Sequence, residues 1–134
     1  MFSSIPLDVA GPGVLVAAAI FGLGALIVIT LVISLIESIV LYLFKWDRYG
    51  RSLWASILMN VTSSIFGGIL VIVGLYQTSF LWFIIAFLLS VLIEAGVLIL
   101  MKRGAARQNW TVALVANLMS YLLIILPYAL WNLR

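Results

Sequence analysis

Long, unbroken apolar runs make up most of the chain, and short polar segments separate them. Four such runs lie at residues 14–44, 53–75, 81–101 and 110–130. Each is long enough to cross a hydrocarbon core of about 30 Å, which takes about 20 helical residues. Polar and apolar positions do not alternate within the runs, so the pattern does not indicate strands. Because helices satisfy all their backbone groups inside such a run, the pattern predicts four transmembrane helices.

The composition agrees with a lipid surrounding. Of 134 residues, 66% are hydrophobic and 8% are charged, whereas a soluble domain carries roughly 25% charged residues. The sequence therefore predicts an all-α integral membrane protein with a single membrane domain over residues 1–134. Residues 1–13 lack the basic start of a secretory signal, so we expect this segment to be retained.

Basic residues concentrate in the two loops that follow the first and third runs. Cytoplasmic loops carry an excess of lysine and arginine, so we expect these loops in the cytoplasm and both termini outside (N-out/C-out). This indicates a multi-pass protein of a cell inner membrane, bacterial in type. The loop residues are Lys45, Arg48, Arg51, Lys102, Arg103 and Arg107.

The tryptophans fall near the ends of the predicted spans, where amphipathic rings prefer to sit. We expect Trp46, Trp54 and Trp110 at the inner interface. Trp82 and Trp131 are expected at the outer interface.

The chain contains an internal repeat. A shift of 57 residues without a gap superposes scarce polar residues, which chance alone explains poorly. We expect two helical hairpins, repeat 1 at about 14–75 and repeat 2 at about 81–131, in one orientation and related by a pseudo-two-fold axis along the membrane normal. The coinciding pairs are Glu37 with Glu94, Lys45 with Lys102, Asn60 with Asn117, and Ser63 with Ser120.

The repeated polar residues form one thin layer within the predicted membrane. Glu37 lies about 12 Å in from Lys45, and Asn60 lies at a similar depth on the returning helix, at 1.5 Å per residue. We expect the asparagine amide to donate to the glutamate carboxyl in each hairpin; alternatively, an arginine could reach inward to a carboxylate. The predicted layer consists of Glu37, Asn60, Ser63, Glu94, Asn117 and Ser120.

Several chemistries lack their residues. The chain has no cysteine and no histidine, which removes thiolate chemistry and the commonest metal ligand. No P-loop or dinucleotide fingerprint occurs. We therefore predict neither enzymatic activity, nor a metal site, nor a cofactor, and the net charge of +3 is explained by topology rather than by a nucleic-acid partner.

The segment Leu-Ile-Glu-Ser-Ile-Val-Leu, then a basic loop, then Ser-Leu-Trp-Ala-Ser-Ile-Leu-Met-Asn, resembles the filament-integrity FraC family of cyanobacteria. The resemblance covers residues 35–68 and extends by repetition to residues 92–121. It implies a structural role at cell–cell septal junctions. The matching positions are Glu37 and Asn60, and by repetition Glu94 and Asn117.

Three functions fit these observations. The preferred one is a non-enzymatic scaffold or small subunit of a larger membrane assembly, with lipid, other membrane proteins or a second copy as partner. The first alternative is a proton- or cation-coupled transporter or channel component that uses Glu37 and Glu94, because an intramembrane acid indicates a functional site. The second alternative is a pigment- or lipid-binding subunit.

Overall fold

The computed structural model of the protein describes residues 12–74, 80–125 and 127. Every regular element within these residues is helical, as the apolar runs predict. Four helices follow one another along the chain, and the last continues into a π-helical turn. The elements are α1 (Pro12–Leu43), α2 (Tyr49–Ile72), α3 (Phe80–Met101), α4 (Ala106–Ser120) and the π-helical turn (Tyr121–Ile125).

Three segments within these helices are long and apolar enough to cross a membrane. They are Ile20–Leu43, Tyr49–Ile72 and Leu81–Met101. The fourth predicted span begins in α4. Its last residues, with Trp131 and Arg134, lie outside the described part of the chain.

All four helices begin earlier than the apolar pattern predicts, and two of them begin four residues earlier. α2 begins at Tyr49 rather than at residue 53, and α4 begins at Ala106 rather than at residue 110. Hydropathy marks only the part of a helix that avoids water, and a polar first turn is compatible with helical geometry. The two basic loops are therefore short, at residues 44–48 and 102–105.

The first loop reverses the chain with a compact helix C-terminus. Lys45 adopts a left-handed conformation with φ of 53°. The Trp46 amide donates to the Leu41 carbonyl at 3.0 Å, and the Lys45 amide donates to the Tyr42 carbonyl at 2.9 Å. This pair of bonds is a Schellman motif, which usually places glycine where Lys45 stands.

The helices form a ring of four. α1 packs against α2 and α4, and α3 also packs against α2 and α4. Each helix thus contacts its two neighbours around a common interior. A side chain that points inward from one hairpin can therefore reach the other hairpin.

The apolar core lies at the loop end of this ring. Towards the other end, the side chains of residues 20–29 in α1 and 64–69 in α2 are exposed. The bundle is thus closely packed beside the loops and more open away from them. The core residues are Val40, Leu41, Trp46, Ala55, Met59, Ala95, Leu98, Val112, Ala113 and Ala116.

The π-helical turn follows Ser120 directly. Pro127, two residues beyond the turn, has no amide hydrogen, and in an α-helix its ring would collide with the carbonyl of Leu123. A wider turn before the proline relieves this collision. The change of geometry begins at Tyr121, beside the polar layer.

Candidate functional site

The Glu37 carboxyl on α1 is buried and accepts three side-chain hydrogen bonds. Its side chain is 1% exposed. Asn60 Nδ2 donates to Oε2, and Ser56 Oγ shares its one hydrogen between the same oxygen at 3.3 Å and the Ser34 carbonyl at 2.9 Å. Ser120 Oγ donates to Oε1 at 3.0 Å. Every donor is neutral, so these contacts hold the carboxyl in place without neutralising a charge on it.

The Glu94 carboxyl on α3 has a matching environment with one donor fewer. It is 2% exposed. Asn117 Nδ2 donates to Oε2, and Ser63 Oγ donates to Oε1 at 3.1 Å. The position that corresponds to Ser56 is Ala113, which has no hydroxyl. The two carboxyls are therefore similar in geometry and unequal in the number of donors.

The two asparagines are oriented in the same way. Besides its bond to glutamate, Asn60 Nδ2 donates to the Ser56 carbonyl at 3.0 Å. Asn117 Nδ2 donates to the Ala113 carbonyl, also at 3.0 Å. Two acceptors fix each amide nitrogen toward its carboxyl, so the glutamate–asparagine bonds expected within each hairpin are present.

The serines connect the two hairpins, which the sequence did not indicate. Ser63 lies on α2 and bonds Glu94 of the second hairpin, while Ser120 lies on α4 and bonds Glu37 of the first. Each carboxyl is thus held by an asparagine of its own hairpin and a serine of the other. The polar layer is a single network that spans the ring.

A polar cavity of about 190 Å³ lies between the carboxyls. It is larger than the roughly 30 Å³ that one water occupies in the liquid. Its ten lining residues form five pairs that are separated by the 57-residue shift, so both hairpins contribute equally. The pairs are Ile33 with Ser90, Glu37 with Glu94, Asn60 with Asn117, Ser63 with Ser120, and Ser64 with Tyr121.

All six residues of the predicted polar layer line this cavity. The lining also includes four residues outside that predicted layer: Ile33, Ser64, Ser90 and Tyr121. The 57-residue shift also pairs these four residues, so the repeat could have indicated them. Each pair joins a serine to an apolar or aromatic residue, and such a pair does not stand out in the sequence.

The arginines do not reach the carboxyls. Arg51 Nη1 forms an ion pair of 2.9 Å with Asp47 Oδ2, which is the one salt bridge within the described residues. Arg48 and Arg107 have exposed side chains at the loop end. The alternative in which an arginine neutralises Glu37 or Glu94 is therefore not adopted in this structure.

Trp46 is an interior residue, and its assignment to the interfacial belt is wrong. Its side chain is 1% exposed, and its indole nitrogen donates to Asn109 Oδ1 at 2.7 Å. Lys102 Nζ lies 5.7 Å from the ring centroid and donates to the Trp46 carbonyl. The apolar surface of the indole closes the loop end of the core, and its polar edge is satisfied by the second hairpin.

Two further bonds join the hairpins at the loop end of the bundle and are related by the same shift. Arg51 Nη2 donates to the Met101 carbonyl at 2.9 Å. Gln108 Nε2 donates to the Phe44 carbonyl at 3.2 Å. Residues 51 and 108 correspond, as do 44 and 101. Among the basic loop residues, Arg51 and Lys102 thus bind the opposite hairpin, while Lys45, Arg48, Arg103 and Arg107 are exposed.

The chemistry of the cavity is acidic and neutral-polar. Among the described residues no group of three or more acids, histidines or cysteines comes together to hold a metal ion. In comparisons with known proteins, no family model matches the chain, and no curated protein or solved structure matches it. The class of protein is therefore described from the structure alone. It is a helical bundle with helices long and apolar enough to cross a membrane, and with two buried carboxyls on one cavity.

Proposed function

We propose that the protein is a multi-pass membrane protein whose central cavity binds a cation, a proton included, through Glu37 and Glu94, as a component of a transporter or channel. The observation that carries the proposal is the cavity itself. Two buried carboxyls border one partly open cavity, and their side-chain partners are neutral amides and hydroxyls.

The energetics favour a titrating or cation-binding role for these acids. A charged acid at the centre of a membrane helix costs about 2.5–3.5 kcal/mol on insertion scales. Glutamine would offer the neighbouring donors a carbonyl oxygen without that charge. Two carboxylates beside one cavity would also repel each other. A proton or a bound cation removes both costs, and a purely structural role requires neither acid.

The proposed orientation is N-out/C-out in a cell inner membrane. Its support is the concentration of six basic residues at residues 45–51 and 102–107, according to the positive-inside rule. The five pairs of cavity residues and the matched loop bonds support two parallel repeats about a pseudo-two-fold axis. The cavity would lie on that axis.

The packing supports access from the side away from the loops. Trp46 and the apolar core fill the bundle between the cavity and the loops, whereas residues 20–29 and 65–69 beyond the cavity are exposed. In the proposed orientation the closed end faces the cytoplasm. Both transport and channel conduction would require the loop-end packing to open.

A scaffold or small-subunit role is the second candidate. The cross-hairpin bonds of Ser63 and Ser120 favour it, because they use the same acids to hold the bundle together. The resemblance to the FraC family points in this direction and stays a prediction. The two candidates differ in one respect: a scaffold needs hydrogen-bond acceptors at residues 37 and 94, and a cation site needs carboxyls.

Glutamine substitution separates the candidates. We would purify wild type, Glu37→Gln, Glu94→Gln and the double variant, with Asp47→Asn as a control that removes a carboxyl outside the cavity. Infrared difference titration would report carboxyl protonation, and a pH dye inside proteoliposomes would report proton uptake under an imposed potassium diffusion potential. We expect the double variant to lose proton uptake and the part of the carboxyl signal that belongs to Glu37 and Glu94, while remaining monodisperse. Unchanged titration and uptake in that variant would refute the cation site.

A further inference from the structure

An apolar groove adjoins the polar cavity. Its volume is about 390 Å³, within the roughly 300–1,000 Å³ of typical small-molecule pockets. It lies mainly between α2 and α3. Three residues, Ser63, Ser90 and Tyr121, line both the groove and the cavity. The rest of its lining is mainly apolar and includes Phe66, Gly67 and Trp82.

We infer that the cavity and the groove form one binding site for a lipophilic organic cation. This inference rests on the proposed function and names its ligand class. The cationic centre lies beside Glu37 and Glu94, and the apolar body occupies the groove. The shared residues place the acidic and apolar regions side by side, which is the arrangement such a ligand requires.

Charge complementarity selects this ligand over an uncharged one. A lipid acyl chain would fill the groove but would gain nothing from two carboxyls at its end. An organic cation gains from the acids and also from aromatic faces, which attract cations within about 6 Å. Phe66, Trp82 and Tyr121 supply such rings along the groove.

The hydrogen bonding argues against a hard metal ion. Calcium takes 6–8 oxygen ligands, and magnesium demands a near-octahedral set. Each of the four carboxyl oxygens of Glu37 and Glu94 already accepts a hydrogen bond from a protein side chain. A cation with delocalised or shielded charge needs no coordination shell and tolerates these partners.

A matched pair of glycines allows a clean test of the groove. Gly67 lines the groove and Gly68 does not. A Cβ at either position meets no heavy atom within 4 Å, so neither substitution creates a clash at its first carbon. Gly67→Leu should fill the groove, and Gly68→Leu changes the same helix by the same side chain outside it.

The probe is tetraphenylphosphonium, measured by equilibrium dialysis against the full chain in nanodiscs. We expect saturable binding to wild type. The binding affinity should fall by about tenfold or more in Gly67→Leu and change by less than about twofold in Gly68→Leu. Binding should also be lost in the Glu37→Gln, Glu94→Gln double variant. The neutral analogue triphenylphosphine oxide should not compete.

The outcomes distinguish this inference from the proposed function. If wild type binds no tetraphenylphosphonium, or if the neutral analogue competes equally, the organic-cation site is refuted. Equal binding by Gly67→Leu and wild type would refute it too. In each case, carboxyl titration and proton uptake that depend on Glu37 and Glu94 would leave the proposed function standing. Their absence would overturn both.

Discussion

Ser120 on α4 donates a hydrogen bond of 3.0 Å to Oε1 of Glu37 on α1. The two residues belong to different hairpins, and the corresponding bond joins Ser63 to Glu94 in the opposite sense. Each hairpin thus completes the carboxyl site of the other. The site exists only when both hairpins are docked, so its integrity reports on their association.

Removal of the Ser120 hydroxyl tests this exchange. Ser120→Ala should lower the unfolding free energy by about 0.6 kcal/mol, the mean for hydrogen bonds between membrane helices, and by no more than about 1.7 kcal/mol. Ser63→Ala should cost a similar amount. Thermal unfolding in detergent, followed by circular dichroism, measures both effects. Thr62→Ala is the control, because the Thr62 hydroxyl bonds only its own helix, at the Leu58 carbonyl; an equal loss there would contradict the cross-hairpin assignment.

The two carboxyls accept different numbers of side-chain hydrogen bonds, which gives a second prediction. Asn117→Ala leaves Glu94 with Ser63 as its side-chain donor, whereas Asn60→Ala leaves Glu37 with Ser56 and Ser120. Loss of a partner for a buried polar group costs about 1–3 kcal/mol. We expect the stability loss of Asn117→Ala to lie in the upper part of this range and that of Asn60→Ala to be smaller. The same unfolding assay ranks them, and the reverse order would contradict the donor count.

Trp46 provides a third prediction, at the loop end. Trp46→Phe removes the indole donor and leaves buried Asn109 Oδ1 without its partner, so we expect a loss of about 1–3 kcal/mol. Trp54→Phe is the matched control, since Trp54 is 64% exposed. The control should change stability by less than about 0.5 kcal/mol. Similar losses for both would indicate that the Trp46–Asn109 contact contributes little.

The proposed orientation can be measured because the chain has no native cysteine. We would introduce single cysteines as Arg48→Cys, Arg103→Cys and Gln77→Cys and treat spheroplasts with a membrane-impermeant maleimide. We expect label at residue 77 in intact spheroplasts, and at residues 48 and 103 only after permeabilisation. Labelling of the loop cysteines in intact spheroplasts would show that the topology is opposite to the one proposed.

Much of the polar layer was predictable because its residues are scarce. Glutamate and asparagine are conspicuous in an apolar background, and their 57-residue spacing indicated which ones share a depth. The partners of Ser63 and Ser120 were not predictable. Depth along a helix follows from sequence position, but the contact between hairpins depends on how they rotate and dock.

Helix starts and the role of Trp46 were missed for another reason. Hydropathy detects lipid-compatible residues, so it overlooked the polar first turns of α2 and α4. The position of Trp46 beside a basic loop is typical of an interfacial residue. Its burial depends on contacts with Asn109 and Lys102, which lie in the other hairpin. The sequence around Trp46 does not indicate these contacts.

Ser56 and Ala113 occupy equivalent places in the two hairpins, yet only the former contributes a hydroxyl. Two copies of one hairpin in a symmetric dimer would have to change together at such a position. A chain that carries both hairpins can alter one and preserve the other. Covalent linkage thus frees its two acids to differ in proton or ligand affinity, an option closed to any assembly of identical halves.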